Sequence, residues 1–323
     1  MSTRTDVEIV SVGSAVPDTT LTNKDLEKIL DTSDEWITTR TGIRTRHVFP
    51  ESERDQARAY ELGGKAAAVA LKTGGVTPEE IDGVICATFT PDFFFPSTAC
   101  KIQEYLGIPP GCAFDLSAAC AGFVYAMAVA ESMIRCGPNR TMLLVGTEII
   151  SKTIDWEDRS TAILFGDAAG AMVLRGREGD GERGILASHL SSCSTLGNIL
   201  SLPAWGEKRT MKMNGSEVFK HAVRMMSEAT MVVTRKCGID TDQLDLLIPH
   251  QANVRILNAV ATSLSIPPEK LVCNVDRYGN TSSASIPLAL EEAWKAGKIR
   301  DGTLVAFTSL GGGVSLAAAL ARF

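Results

Sequence analysis

The chain has 323 residues, 45% hydrophobic and 22% charged, with a formal net charge of −6. That length suits one large or two fused domains of ordinary globular composition, and the acidic balance excludes a strongly basic nucleic-acid binder. The longest apolar runs, such as 117–130, are too short and Ala-rich to span a bilayer, and residues 1–10 lack the basic start and apolar run of a signal peptide, so the expectation is a cytoplasmic protein with no membrane partner.

In chain order, VEIVSV (7–12) reads as a strand and ELGGKAAAVALK (61–72) as a helix. GVICATF (83–89) and CAFDL (112–116) are strands, AGFVYAMAVAESMIRC (121–136) is a long helix, and TMLLVG (141–146) is a strand again. The alternation predicts an α/β protein. IISKTIDWEDRSTAILF (149–165) is polar at its centre and is expected to be a surface loop, before the glycine-marked strand GDAAGAMVL (166–174). RGREGDGERG (175–184) contains G-x-G-x-x-G, but the strand-like GILASHL follows where a dinucleotide site needs a helix, so it reads as a solvated hairpin or linker. LLIPHQANVRIL (246–257) is strand, turn and helix; VDRYGNTSSASIPLAL (275–290) ends in a helix; TLVAFTS (303–309) and GGGVSLAAAL (311–320) are strands.

The order recurs. Cys120 lies 38 residues after Asp82 (120 − 82), and Asn280 lies 35 after Asp245 (280 − 245). TMLLVG begins 21 residues after Cys120, and TLVAFTS begins 23 after Asn280. This predicts two copies of one unit, residues 1–175 and 176–323, with 149–165 inserted only in the first.

No two of the eight cysteines have C-x-x-C spacing, which argues against a zinc or redox site and for free thiols. Cys120 precedes ten residues without charge, AGFVYAMAVA, which predicts a buried helix. Core packing and nucleophile are both open readings. The dipole at the helix start is expected to favour thiolate and lower the thiol pKa. His250 and Asn280 also sit at strand-to-helix turns, where α/β sheets gather ligands. His47 is expected to be exposed, with His189 and His221 structural. Gly311, Gly312 and Gly313 suit either a turn or an oxyanion donor.

With TNKDLEKILDTSDEWITTRTGIRTRH (22–47), SAACAGF (117–123), HQANVRI (250–256), GNTSSASIP (279–287) and GGGVSLAAALARF (311–323), the chain resembles the 3-oxoacyl-[acyl-carrier-protein] synthase III family of the thiolase superfamily. The resemblance implies a thiolase-like αβαβα five-layered fold from two duplicated halves. It implies decarboxylative condensation of an acyl-CoA with malonyl-[acyl-carrier protein], giving a 3-oxoacyl-[acyl-carrier protein], coenzyme A and CO2, with no metal or other cofactor. Cys120 is then the nucleophile, His250 and Asn280 drive decarboxylation, and Cys120 and Gly312 supply the oxyanion hole. Trp36, Arg40, Arg159, Lys220, Asn253 and Arg255 bind coenzyme A or carrier protein. Phe95 caps the acyl pocket of a homodimer partner, and Leu310 lines the acyl pocket. Arg40 stacking on Trp36 along one helix, and Phe93–Phe95 as a packed corner, are compatible structural readings.

Two departures stand out. Leu310 replaces the Phe that many members carry, and Thr262 and Ser263 replace a lysine pair found in some relatives, weakening the carrier-protein patch or shifting it toward Arg224. The alternatives are a related condensing enzyme or acyltransferase of polyketide or secondary metabolism, a Cys-dependent thioester hydrolase, and a non-catalytic scaffold. Acyl preference depends on the packing of SSCSTLGNILSLPAW (191–205).

Overall fold

The apolar runs become strands because alternate side chains find separate hydrophobic layers. The computed structural model describes residues 4–138, 140–206 and 209–323. The first half supplies β1 (Arg4–Ala15), β2 (Gly83–Ala87), β3 (Cys112–Leu116), β4 (Thr141–Glu148) and β5 (Ala168–Gly179), hydrogen-bonded in the order β3-β2-β4-β5-β1. The second supplies β6 (Gly184–Ser192), β7 (Leu246–Pro249), β8 (Leu304–Gly311) and β9 (Ser315–Arg322), in the order β7-β8-β9-β6. A parallel bridge from Leu247 to Leu271 stands where the first half has β3. The two sets meet where β1 and β6 pair at Val7 and Gly184.

Helices fill three layers. α1 (Ala59–Gly74) and α2 (Thr98–Leu106) cover one outer face, α3 (Gly122–Cys136) lies at the centre, and α4 (Gly215–Lys236) and α5 (Val254–Ser263) cover the other outer face. α6 (Ser285–Lys295) joins α3 at the centre. In β4, Leu143 and Val145 pack outward with Leu62 and Ala66 of α1, while Met142 and Leu144 pack inward with Phe123 and Met127 of α3. β8 does the same: Val305 and Phe307 face the central helices, whereas Leu304 and Ala306 face Met226 of α4 and Leu257 of α5. The result is the five-layered αβαβα fold. The residues from Ala119 to Cys136 form a stretch apolar enough to cross a membrane, and α3 spends that apolarity between the two sheet faces.

The two aspartates that marked the repeat perform one task twice. Asp82 Oδ2 accepts the N–H groups of Arg140 and Thr141 at 2.7 and 2.8 Å, and its own N–H donates to Thr141 O. Asp245 Oδ2 accepts the Leu304 N–H at 2.8 Å, and its N–H donates to Leu304 O. Each carboxylate ties the strand that follows it, β2 or β7, to the start of β4 or β8.

Two expectations need correcting. The stretch 175–184 is no free linker: β5 continues to Gly179, only 180–183 turn, and β6 begins at Gly184. The segment 149–165 is a surface loop only at its middle. Ile149, Ile150, Ile154, Ala162, Ile163 and Phe165 are buried because its two ends pack into the core. Asp82→Ala and Asp245→Ala should each cost about 1–2 kcal/mol, the scale of a lost charge-assisted hydrogen bond. Chemical denaturation should show a lower midpoint with an unchanged slope.

Candidate active site

β3 ends at Leu116, and the chain makes a tight 3₁₀ turn over Ala119–Ala121 before α3 begins at Gly122. Ala119 holds φ at 46°, a left-handed value uncommon for a residue with a side chain. Cys120 sits at the top of this turn, 6% exposed. Its sulfur accepts a hydrogen bond from the Ser282 hydroxyl at 3.3 Å, and its carbonyl accepts one from Ser309 Oγ at 2.7 Å. Gly311 lies so close that a Cβ there would fall 2.4 Å from Ala118 O and 2.9 Å from Cys120 N. The peptide N–H groups of Cys120 and Gly312 lie near the sulfur and favour its charged form.

The expected low thiol pKa is not what this environment produces. Burial pushes the Cys120 thiol up to about 11, and the Glu148 carboxyl adds to the effect. The Ser282 hydroxyl and the two N–H groups pull the other way and do not offset desolvation. The resting nucleophile is a neutral thiol.

A second turn faces the first. Ser282–Ala284 forms a 3₁₀ turn ahead of α6, and Ser282 holds φ at 51°, as Ala119 does in the first half. This corrects the register of the repeat. Ser283, not Asn280, occupies the position of Cys120, and its spacing from Asp245 (283 − 245 = 38) equals that of Cys120 from Asp82 (120 − 82 = 38). Asn280 lies ahead of the turn, and its Oδ1 accepts the Ser282 N–H at 3.0 Å. Because a peptide nitrogen only donates, this fixes the amide and leaves Nδ2 as a free-facing donor.

His250 follows β7 directly and is buried. Its Nδ1 lies 2.7 Å from Ser285 Oγ, the first residue of α6, and that oxygen also takes the Gln251 N–H at 3.4 Å. With the hydroxyl hydrogen directed to Nδ1, the ring proton sits on Nε2. Burial lowers the imidazole to about 3, so the ring is neutral. Cys120, Asn280 and His250 thus all bond to residues 282–285, through Ser282 in the first two cases and Ser285 in the third.

A cavity of about 1040 Å³ opens onto Cys120, Ser282 and Gly312. Phe165 from the inserted segment, Leu200 and Leu202 from the 191–205 region, and Phe93 and Phe94 also line it. Phe95 does not: it is 87% exposed. Leu310 is not on this cavity either; it is buried in the outer core around α4 and α5.

Trp36, on the helix Asp34–Thr41, has two guanidinium groups over its ring, Arg40 at 4.4 Å and Arg159 at 4.7 Å. Arg159 also donates to Asp31 O at 2.7 Å. Asn253 joins this helix to α5: its Oδ1 caps the Arg255 N–H at 2.8 Å, and its Nδ2 donates to Arg40 O at 3.2 Å. Arg255 lies over the Phe219 ring at 5.7 Å, next to the exposed Lys220. Arg224 is held by Glu228 one turn on. His189 lies on β6 and His221 on α4, as expected, but His47 is half-buried, with Nδ1 2.8 Å from Pro17 O and its ring on Tyr278. Its neighbour Arg46 is fully buried because Asn23 Oδ1 and the carbonyls of Leu21 and Ile163 accept from it.

A buried thiol on a strained turn, faced by a duplicate turn on a five-layered αβαβα frame, defines a thiolase-type enzyme. The chain belongs to the 3-oxoacyl-[acyl-carrier-protein] synthase III family. The family profile "3-Oxoacyl-[acyl-carrier-protein (ACP)] synthase III" matches residues 114–194, and its C-terminal counterpart matches 234–323. The chain is 46% identical to a β-ketoacyl-[acyl-carrier-protein] synthase III of Aquifex aeolicus, over 98% of this chain and 99% of that one. The crystal structure of the 3-oxoacyl-[acyl-carrier-protein] synthase III from that organism superposes with a TM-score of 0.93, covering 98% and 100% of the two chains. The priming β-ketosynthase of the R1128 polyketide pathway is also similar, at 32% identity and TM-score 0.92, over 99% and 97%.

Ser282, Ser283, Ser285 and Glu148 were not singled out from the sequence. The 38-residue spacing was the available signal for Ser283. Ser285→Ala should lower malonyl-thioester decarboxylation by about tenfold or more, the scale of one lost orienting hydrogen bond. Ser285→Thr should restore it, and stopped-time mass spectrometry should find Cys120 acylation little changed in both.

Proposed function

We propose that Cys120, His250 and Asn280 carry out the decarboxylative condensation of an acyl-CoA primer with malonyl-[acyl-carrier protein], the step that begins fatty-acid synthesis. The observation that carries this assignment is the convergence of thiol, imidazole and carboxamide on residues 282–285. In the first stage the Cys120 sulfur attacks the acyl-CoA carbonyl. The carbonyl oxygen, as it gains charge, takes the N–H groups of Cys120 and Gly312. The C–S bond to coenzyme A breaks, and the proton of the thiol leaves with the coenzyme A sulfur, so no net charge is left behind.

In the second stage the malonyl thioester oxygen takes hydrogen bonds from His250 Nε2–H and Asn280 Nδ2–H. Carbon dioxide departs, and its bonding electrons enter an enolate held by these two donors. The enolate carbon attacks acyl-Cys120 and expels the thiolate. The surroundings that push the thiol up to about 11 then favour its taking a proton and returning to the resting state. Neutral donors suit this chemistry, because they stabilise the developing charge without themselves having to lose a proton.

The remaining assignments follow the geometry of the mouth. Trp36, Arg40 and Arg159 would hold the adenine and phosphates of coenzyme A, with Arg159 leaving Trp36 to admit the base. Lys220 and Arg255 would meet the phosphate of the carrier protein, and Asn253 positions Arg255 by capping its helix. Phe95, exposed on its own protomer, would close the acyl cavity of a second copy in a homodimer. The reaction so written needs no metal or cofactor beyond its substrates and takes place in the cytoplasm. We place the division between the halves at the 180–183 turn, where β5 gives way to β6.

Several outcomes test these roles. Cys120→Ser should give no acyl-enzyme by mass spectrometry with any acyl-CoA. His250→Ala should still form acyl-Cys120 but condense about 10²–10³-fold more slowly, as expected for one lost oxyanion donor. Trp36→Ala should raise the KM for acyl-CoA far more than it lowers kcat. Free acid in place of 3-oxoacyl product would favour hydrolysis instead. In Cys120→Gln, which isolates decarboxylation, the pH–rate profile should lack a break near the usual imidazole value of 6.5, because burial holds His250 neutral down to about 3.

A further inference from the structure

One buried carboxyl takes no part in the chemistry above. Glu148 ends β4 and is fully buried. Its Oε2 accepts from the hydroxyls of Thr90 at 2.7 Å and Thr88 at 3.2 Å, and the Phe89 N–H reaches both carboxyl oxygens at 3.3 Å. Its Oε1 lies 3.0 Å from Ser283 Oγ. The recorded partners are thus three hydroxyls and one peptide N–H.

Hydrogen counting decides the form of this group. Ser283 Oγ is also 3.0 Å from Ala87 O. A carbonyl only accepts, and a hydroxyl has one hydrogen to give. If that hydrogen goes to Ala87, the contact with Oε1 requires a hydrogen from the carboxyl. With Glu148 ionised, Oε1 and Ala87 O compete for the one Ser283 hydrogen, and Oε1 keeps only the longer 3.3 Å bond from the Phe89 N–H whenever that hydrogen goes to Ala87, a poor arrangement for a buried charge.

We propose that Glu148 is a positioning residue that works as a neutral carboxylic acid. It donates through Oε1 to Ser283 and so holds the Thr88–Thr90 wall of the acyl cavity against the turn beside Cys120. Thr88, Phe89 and Thr90 all line that cavity, and Ser283 adjoins Ser282, the hydroxyl partner of the Cys120 sulfur. Glu148 is therefore bonded both to the cavity wall of the first half and to the facing turn of the second.

The electrostatics agree. Burial pushes the Glu148 carboxyl up to about 8, against the pull of its hydroxyl and N–H partners. The ionisable groups that feel its charge include the thiols of Cys120 and Cys86, and Cys86 also feels Asp92 and Asp115. All of these are acidic when they ionise, so none stabilises a charged Glu148. The proton is present below about 8 and leaves above it. Its loss removes the bond to Ser283 and places a negative charge near Cys120, which opposes thiolate formation.

The inference rests on Cys120 as the reactive thiol only for its kinetic readout, so two measurements are needed. Infrared spectra of the wild-type protein at pH 7 should contain a carboxylic-acid C=O band that titrates away near pH 8 and is missing in Glu148→Gln. Absence of a band assignable to Glu148 overturns the proposal, whether or not the variant folds. The second measurement is iodoacetamide labelling of Cys120, quantified on its peptide from pH 7 to 9. The wild-type rate should rise less steeply than tenfold per pH unit above pH 8, while Glu148→Gln continues its rise. Parallel profiles overturn the proposal. Glu148→Gln, which keeps a donor toward Ser283, should acylate from acyl-CoA at least tenfold faster than Glu148→Ala at pH 7; equal rates overturn it. Failure of wild-type Cys120 to label at all counts against the nucleophile reading instead, and the infrared result then judges Glu148 alone.

Discussion

The site depends on two strained turns pressed together at the centre of the molecule. Ala119 and Ser282 both hold left-handed backbone, at φ 46° and 51°. Such conformations cost on the order of 1–3 kcal/mol each and persist only where surrounding bonds enforce them. Each half supplies the restraint for the other. The first-half turn is held by Ser282, Ser309 and the close approach of Gly311, all from the second half. The second-half turn is held by Ala87 and Glu148 of the first. Neither half contains a complete site, and no local segment around Cys120 would keep its shape alone.

Burial then sets the chemical character of everything inside. The thiol is pushed to about 11, the imidazole down to about 3 and the carboxyl up to about 8. Three groups of different chemistry are all driven toward their uncharged forms by one cause, desolvation. The reaction produces negative charge twice, on a carbonyl oxygen and then on an enolate. Uncharged donors fixed in a dry site meet that charge without prior reorganisation. A permanently ionised site would interact strongly with its own charges before substrate arrived.

Much of this was legible in the sequence. The alternation of strands and helices, the charge-free helix after Cys120 and the matched Asp82 and Asp245 all have direct physical counterparts. The sulfur's environment was not legible, because helix polarity is a local property and desolvation is not. A helix start argued for thiolate, and packing from 160 residues away reversed the sign. Of the serines of TSSAS only Ser283 is marked, by its spacing from Asp245, yet Ser282, Ser283 and Ser285 bond to three different parts of the site. Glu148 lay just beyond the strand as read to Gly146. Nothing local marks Arg46 for burial, which follows from carbonyls that only the fold assembles around it.

Trp36 carries two guanidinium groups over its ring, those of Arg40 and Arg159. Were the indole to receive the purine proposed above on the side Arg159 occupies, that side chain would give up its stacking and its hold on the Asp31 carbonyl. Association there is an exchange of partners and not an added contact. A macroscopic dissociation constant accordingly understates the intrinsic attraction between ring and base by the free energy needed to free the arginine. The same displacement would ease the departure of the proposed coenzyme A, since the displaced side chain would stand ready to reclaim the ring.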